Sequence, residues 1–345
     1  MATYLDRITG ADKSSNNFGV AGTDLGIPYS TGNGRICMLF GDTFSSPFPG
    51  GPDEAPGSGA NWRSPTILTT ATPHTSPQVF DYAVGGGTWA KEAFYNAHNR
   101  AGTWNPLTEF TVIPNDGILI PETGRQIVSW MSMNRWDRAD GSLGGDFRSG
   151  YASLAYSDNG QDWYRVSNLG WWNNRENTDP FQMWSMHREG DFIYIISVRA
   201  GRQNGPMMLR RVHYMHMFDQ SWYEGWGWNG TNWGWGRPCT PILNGTFGEP
   251  SLRKIGNKWV MAYVNYAHPL HGAALVTRTA SAIDGAWSSE KVQVTIAAEP
   301  NLYGGFIDPR STLAVDGLTM YVSRWSKDGA NRSTHYHVSQ YRGTA

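Results

Sequence analysis

Charge is scarce in this sequence, and what there is cancels. Asp, Glu, Lys and Arg make up 17% of the chain, with 28 Lys+Arg against 29 Asp+Glu and a formal net charge of −1. Without a basic excess the chain lacks the electrostatic footprint of a nucleic-acid or anionic-membrane partner. Cysteine is nearly missing, with only Cys37 and Cys239. Two cysteines make no disulfide framework, so buried free thiols are expected, with a single bridge as the alternative. No uninterrupted apolar run approaches about 18 residues, so no membrane-spanning helix or membrane insertion is expected. The opening "MATYLDRITGADKSSNNFG" does not have the basic-then-apolar layout of a secretory signal. Helix-period stretches are hard to find. The serine-elbow, HExxH, phosphate-loop and dinucleotide-loop signatures are missing too.

What the chain does have is glycine and aromatic rings, 41 Gly and 17 Trp in 345 residues, a composition of many turns. Five stretches share one pattern: an acidic residue, a short strand, a glycine turn and a hydrophobic return strand. They begin at Asp24 ("DLGIPYSTGNGRICMLFG"), Asp116 ("DGILIPETGRQIVSWMS"), Asp179 ("DPFQMWSMHREGDFIYIISV"), Glu249 ("EPSLRKIGNKWVMAYVNY") and Asp308 ("DPRSTLAVDGLTMYVSRW"). The steps between the acids are 92, 63, 70 and 59 residues, and 61 more lead from Asp308 through the C-terminus round to Asp24. A period of about 60 fits one four-stranded blade, so residues 1–345 are predicted to form a single all-β, five-bladed β-propeller. A β-sandwich pair is the competing architecture. The closing lap predicts that an N-terminal segment completes the last blade, leaving no long sheet edge open. "SSPFPGGPDEAPGSGANW" (45–62) fills the long first step as an inserted loop, expected at the edge of a cleft. "YSDNGQDW" (156–163) and "SAIDGAW" (281–287) are similar to the Asp-box hairpins of sialidase-like propellers, which are structural turns.

In a propeller the first strands of all blades run the same way along the axis. The five acids are therefore expected to ring one face, with Asp42, at the end of an antiparallel second strand, one strand outward from Asp24. Other second strands end on that face near Asn134 and Arg135, Arg199, His268, and Arg324 to Lys327. Crowded carboxyls have their pKa values driven apart, which is what a general acid and a general base need. Asp24 and Asp42 are the expected catalytic pair, because neither precedes Pro or Gly and both adjoin apolar strands. Asp24, the deeper of the two, is read as the base, with the reverse assignment open. Asp179, Glu249 and Asp308 stand as supporting or substrate-binding residues or, at even weight, as turn formers ahead of Pro. Asp116, in "PNDG", reads as a turn, and Arg310 is expected to pair with an acid of the ring. His268 and His271 are placed to hold a sugar hydroxyl or a metal, but without matched ligands no metal is assigned. No cofactor is expected, with a structural Ca²⁺ among the acids left open. Two carboxyls over an aromatic cleft point to glycoside hydrolysis, with Trp62, Trp136, Trp184 or Trp325 stacking on sugar rings. The rival is a non-catalytic carbohydrate-binding propeller, a phage adhesin or lectin, whose acids bond sugar hydroxyls.

"AGTDLGIPY", "LFGDTF", "FGEPSLRKIGNKWVMAYVNY" and "GGFIDPRSTL", in this order and over nearly the whole chain, resemble the endo-D-arabinanases of glycoside hydrolase family 183. That family was long catalogued as a domain of unknown function in actinobacteria and their phages. The resemblance implies cleavage of internal α-D-arabinofuranosyl linkages in arabinogalactan and lipoarabinomannan of mycobacterial-type walls. It also implies an inverting mechanism with Asp24 and Asp42 as the catalytic pair, and a cell-wall polysaccharide as partner. An extracellular or virion-associated setting goes with it, and a phage origin fits a chain without a secretory signal.

Overall fold

A computed structural model describes residues 1–45, 61–99, 107–137, 143–325 and 336–345, and these fold into β-strands joined by turns and short 3₁₀ segments. Most of the 45–62 loop, the side chains of Arg135 and Trp136, and Lys327 lie outside the described residues.

The strands form five sheets. Blade 1 runs outward through Leu25–Ser30, Ile36–Phe40, Thr66–Thr70 and Tyr82–Ala83, and blade 2 through Thr111–Ile120, Arg125–Asp137, Leu143–Ser157 and Trp171–Trp172. Blade 3 uses Met183–Glu189, Phe192–Val198, Asn204–His213, Glu224–Trp228 and Trp233–Trp235. Blade 4 uses Ser251–Ile255, Lys258–His268, Gly272–Ala280 and Lys291–Thr295. Blade 5 uses Leu302–Ile307, Leu318–Trp325 and Tyr336–Gly343, and its outermost strand is Thr3–Arg7 from the start of the chain, antiparallel to Tyr336–Gly343. Each inner strand packs on the inner strands of the blades before and after it, and blade 5 returns to blade 1. The fold is the predicted five-bladed propeller, closed as the last lap required.

Burial explains the return strands. "ICMLF" (36–40) is buried throughout, as a strand covered on both faces by neighbouring blades must be. The tight turn in "REGD" needs a left-handed residue, and Gly190 supplies it at φ 59. Cys37 and Cys239 are both free thiols.

Two of the five acids are not where the repeat reading put them. Asp116 does not open its strand, which begins at Thr111. It lies in mid-strand at a bulge between Pro114 and Asp116, buried in the axial channel. There its carboxylate takes Arg253 Nη1 at 2.8 Å and Nη2 at 2.9 Å, the Met186 amide at 2.9 Å and the Ser185 hydroxyl. Arg253 also donates to the Pro28 carbonyl at 2.7 Å. One guanidinium of blade 4 thus ties blades 1, 2 and 3 across the axis. Asp116 is neither a turn former nor a member of the polar face.

Asp308 follows the end of its strand, Leu302–Ile307, and so sits at the opposite face from the strand starts. It is fully buried and bonds Arg310 and the Tyr321 hydroxyl, while Arg310 reaches the Thr72 carbonyl at 2.7 Å. Asp308 and Arg310 therefore stitch blade 5 to blade 1 on the far side. The misplacement has one cause: strands in blades 2 and 5 start several residues before their acid.

Candidate active site

Asp24 and Asp42 come together in a local break of the blade 1 ladder. Leu25 pairs with Phe40, and Gly22 bridges Phe44, which leaves both aspartates in the gap between. Thr23 and Thr43 close that gap with a hydroxyl contact of 2.8 Å. Directly after Asp24, Leu25 and Gly26 are left-handed in succession, at φ 63 and 73, and the register shifts there. A bulge of this kind re-aims the adjoining side chain, and a left-handed leucine is a strained residue of the sort that gathers at functional sites.

The two carboxyls sit in different surroundings. Asp42 Oδ1 accepts the Trp62 indole N–H at 2.7 Å and the Thr111 hydroxyl at 3.3 Å. Burial raises Asp42 to about 6, and those two bonds hold it from going further. Asp24 Oδ2 accepts the Tyr303 hydroxyl at 3.0 Å, while Oδ1 is buried with no hydrogen-bond partner among the described residues. Burial, then repulsion by Asp42, pushes Asp24 from 3.8 up to about 8. At neutral pH this makes one proton donor beside one carboxylate.

The shell comes from neighbouring strands and loops. Tyr303 enters through a bulge between Leu302 and Gly304 at the start of blade 5. Tyr336 donates to the Asp42 backbone carbonyl at 3.1 Å and packs on Phe44, with Trp62 and Trp325 against that pair. Arg202 stands 4.6 Å over the Tyr303 ring and clasps Glu249 with contacts of 2.6 and 3.1 Å. It is delivered by a second strained turn, Gly201 at φ 95 and Arg202 at φ 54, to which the buried Asn177 side chain is bonded at the Ala200 carbonyl.

Of the residues singled out in the sequence, Asp24, Asp42 and Glu249 are brought together. Asp179 bonds the Phe181 amide at 2.8 Å and the Gln182 side chain at 2.9 Å, so it shapes its own turn. His268 is buried at its strand end, stacked on His271 at 4.9 Å, with its Nδ1 accepting the Leu270 amide. Arg310 and Asp308 lie on the far face. Trp184 is fully buried and belongs to the packing of blade 3, whereas Trp62 is half-buried at the site. Tyr303, Tyr336, Thr111 and Arg202 escaped sequence reading. Among the described residues, no group of three His, Cys, Asp or Glu side chains is arranged to hold a metal.

A family model described as a domain of unknown function, DUF4185, matches residues 9–342, so the chain belongs to that family. It is 43% identical to notoamide biosynthesis cluster protein J' of Aspergillus versicolor, over 98% of this chain and 91% of that one. Among solved structures it is similar to a Bacteroides ovatus protein at TM-score 0.62 and 13% identity, covering 94% of this chain and 86% of the other. It is also similar to the exo-β-1,3-galactanase of Phanerochaete chrysosporium, at TM-score 0.54 and 11% identity over 99% of this chain and 63% of the galactanase. At such identities the likeness is one of fold.

Proposed function

We propose that this member of the DUF4185 family is an endo-acting glycoside hydrolase that cleaves internal α-D-arabinofuranosyl linkages of mycobacterial-type arabinogalactan and lipoarabinomannan. The observation that carries the reading is the split between two adjoining carboxyls. Asp24, buried with Oδ2 held by Tyr303 and Oδ1 unbonded among the described residues, holds a proton for the leaving oxygen; Asp42, fixed by Trp62 and Thr111, is the ionised partner that activates water. This reverses the roles first read from depth alone, because burial and the neighbouring Asp42 charge outweigh the Tyr303 hydrogen bond and favour the neutral acid. The solved galactanase, named as a hydrolase of a glycan, supports the reaction class. The substrate rests on the likeness of "GTDLG" and "FGDTF" to the D-arabinanases, and a wall polymer places the enzyme's work outside the cell. An inverting course is part of the proposal and rests on the same likeness to the D-arabinanases, with Asp42 as the base that activates water.

Incubation with mycobacterial arabinogalactan is expected to release oligosaccharides with little early arabinose, and plant L-arabinan to be cut poorly. Equal rates on both polymers, or arabinose as first product, would reject the assignment, and retention of the polymer without products would favour the binding-protein alternative. The pH profile follows from the two acids. Activity should fall below about 6 as Asp42 takes a proton, and above about 8 as Asp24 loses its own. A rate still rising beyond pH 9 would contradict Asp24 as the acid. Gly41 tests the fit: a Cβ there would stand 2.5 Å from Asp24 Oδ1. Gly41→Ala is expected to lower kcat by at least about tenfold with the fold retained by circular dichroism. Unchanged turnover would show that Asp24 tolerates displacement.

A second reading has its own observation, the full-length likeness to a fungal biosynthesis-cluster protein at 43% identity. In it the same acids act on a small metabolite. Failure on every polymer, with conversion of extracts from a notoamide-producing culture, would favour it.

A further inference from the structure

The stretch "GWGWNGTNWGWG" (225–236) has no part in the acid site. It forms a two-stranded ribbon at the outer edge of blade 3, in which Trp226 pairs with Trp235 and Trp228 with Trp233. Directly opposed residues, and residues two apart, share one face of a ribbon, so all four indoles lie on the same side. Trp226 and Trp233 are nearly parallel, at 5.9 Å and 18°, and Trp228 meets Trp233 at 6.0 Å. The glycines occupy the other side, pressed on the following segment. A Cβ on Gly227 would lie 1.9 Å from the Pro238 carbonyl oxygen, and one on Gly225 2.2 Å from that of Arg237. The inner indoles are covered, with Arg211 4.5 Å over Trp235. The outer two are open: Trp228 is 46% and Trp233 42% exposed. The inner pair, Trp226 and Trp235, packs against the core and Tyr194, whereas the rings beside Trp228 and Trp233 are indoles of the ribbon itself.

We propose that this ribbon is a second carbohydrate-binding site, which holds a neutral polysaccharide by stacking sugar rings on Trp228 and Trp233. The chemistry of the patch selects that occupant. A sugar ring presents an apolar C–H face to an aromatic plane and hydroxyls at its rim. Beside the indoles stand the amides and hydroxyl of Asn229, Thr231 and Asn232. The twelve residues carry no charge. The neighbouring cations are engaged, Arg211 with Glu224 at 2.7 Å and Arg237 with the Asn232 carbonyl. A nucleic acid or acidic polymer, which also stacks on aromatic platforms, needs free cations to track its phosphates or carboxylates. The site goes beyond the proposed hydrolysis: it lies on the edge of blade 3, whereas both catalytic aspartates are in blade 1, and its binding is read without turnover.

The test uses the full chain and a Trp228→Ala/Trp233→Ala variant, each also carrying Asp42→Asn, sedimented with insoluble mycobacterial arabinogalactan, xylan or β-1,3-glucan. Wild-type ribbon should be retained on at least one polymer and the double variant about tenfold less, with Trp228→Tyr/Trp233→Tyr between them. Retention on xylan or glucan alone would uphold the ribbon and separate its ligand from the polymer proposed for the acid site. With Asp42 intact, hydrolysis of a short soluble arabino-oligosaccharide should be equal in both forms. The proposal is overturned if wild type is retained on none of the three, or if the double variant is retained equally. It is also overturned if hydrolysis of the soluble substrate falls with the ribbon. Self-association in sedimentation velocity that vanishes in the double variant would assign the indoles to a second copy of the chain instead.

Discussion

Asp24→Asn and Asp42→Asn should each lower the proposed hydrolysis of D-arabinan by about 10²–10⁴-fold, the usual share of a general acid or base. Asparagine keeps the shape of the side chain, so binding should change less than kcat. The variants separate on stability. Asp24 holds its proton more tightly in the folded chain, at about 8, than in the unfolded chain, where the ordinary value is 3.8. The folded state therefore binds more protons across that interval, and its stability declines as pH rises from about 4 to about 8. Asp24→Asn removes this slope. Its melting temperature should equal or exceed that of wild type at about pH 9, while near pH 4 the two should agree. Thermal melts at the two pH values, beside single-turnover rates, check both halves. An Asp24→Asn protein with activity within a few-fold of wild type, or with a lower melting temperature at high pH than at low pH relative to wild type, would remove Asp24 from the proposed role.

Arg253→Met should destabilise the chain by about 3–5 kcal/mol, because it strands the Asp116 carboxylate in the channel without its cation. Both side chains are almost inaccessible, at 3% and 1% exposure, so water cannot replace the lost partner. The pair itself contributes less than that figure, since burying two ions is expensive. Adding Asp116→Asn to Arg253→Met should accordingly recover part of the loss. Urea unfolding followed by tryptophan fluorescence would measure both. A single variant within 1 kcal/mol of wild type would mean that the pin carries no mechanical load.

The repeat was legible because glycine turns and apolar return strands are local signals, and five of them at similar steps admit few closed arrangements. Asp24 and Asp42 were legible for the same reason: both flank one short hairpin. Asp116 and Asp308 were misplaced because a strand start carries no mark of its own. In "FTVIPNDG" the acid comes only after five residues of strand and a bulge that the proline hints at but does not locate. Tyr303 and Arg202 stayed hidden for a different reason. Tyr303 reaches Asp24 from blade 5 and Arg202 reaches Tyr303 and Glu249 from blade 3, and their aim depends on a bulge and on a left-handed arginine, neither of which leaves a periodic trace. Gly201 ahead of Arg202 was the available hint. Trp184 shows the limit of counting rings, since full burial removes it from any cleft.

Arg253 and Asp116 also decide how a polymer can move on this molecule. An ion pair of blades 4 and 2 that also bonds blades 1 and 3 crosses the axis, so the middle of the ring is closed at that level, away from the mouth where Asp24 and Asp42 stand. A long glycan can be laid across that mouth but not drawn through it. Under the proposed function, both fragments of a cut chain would lift off from the face on which they arrived, so each cleavage would end in a choice between release and re-seating. Successive cuts along one chain would then depend on a grip elsewhere on the surface and not on the channel.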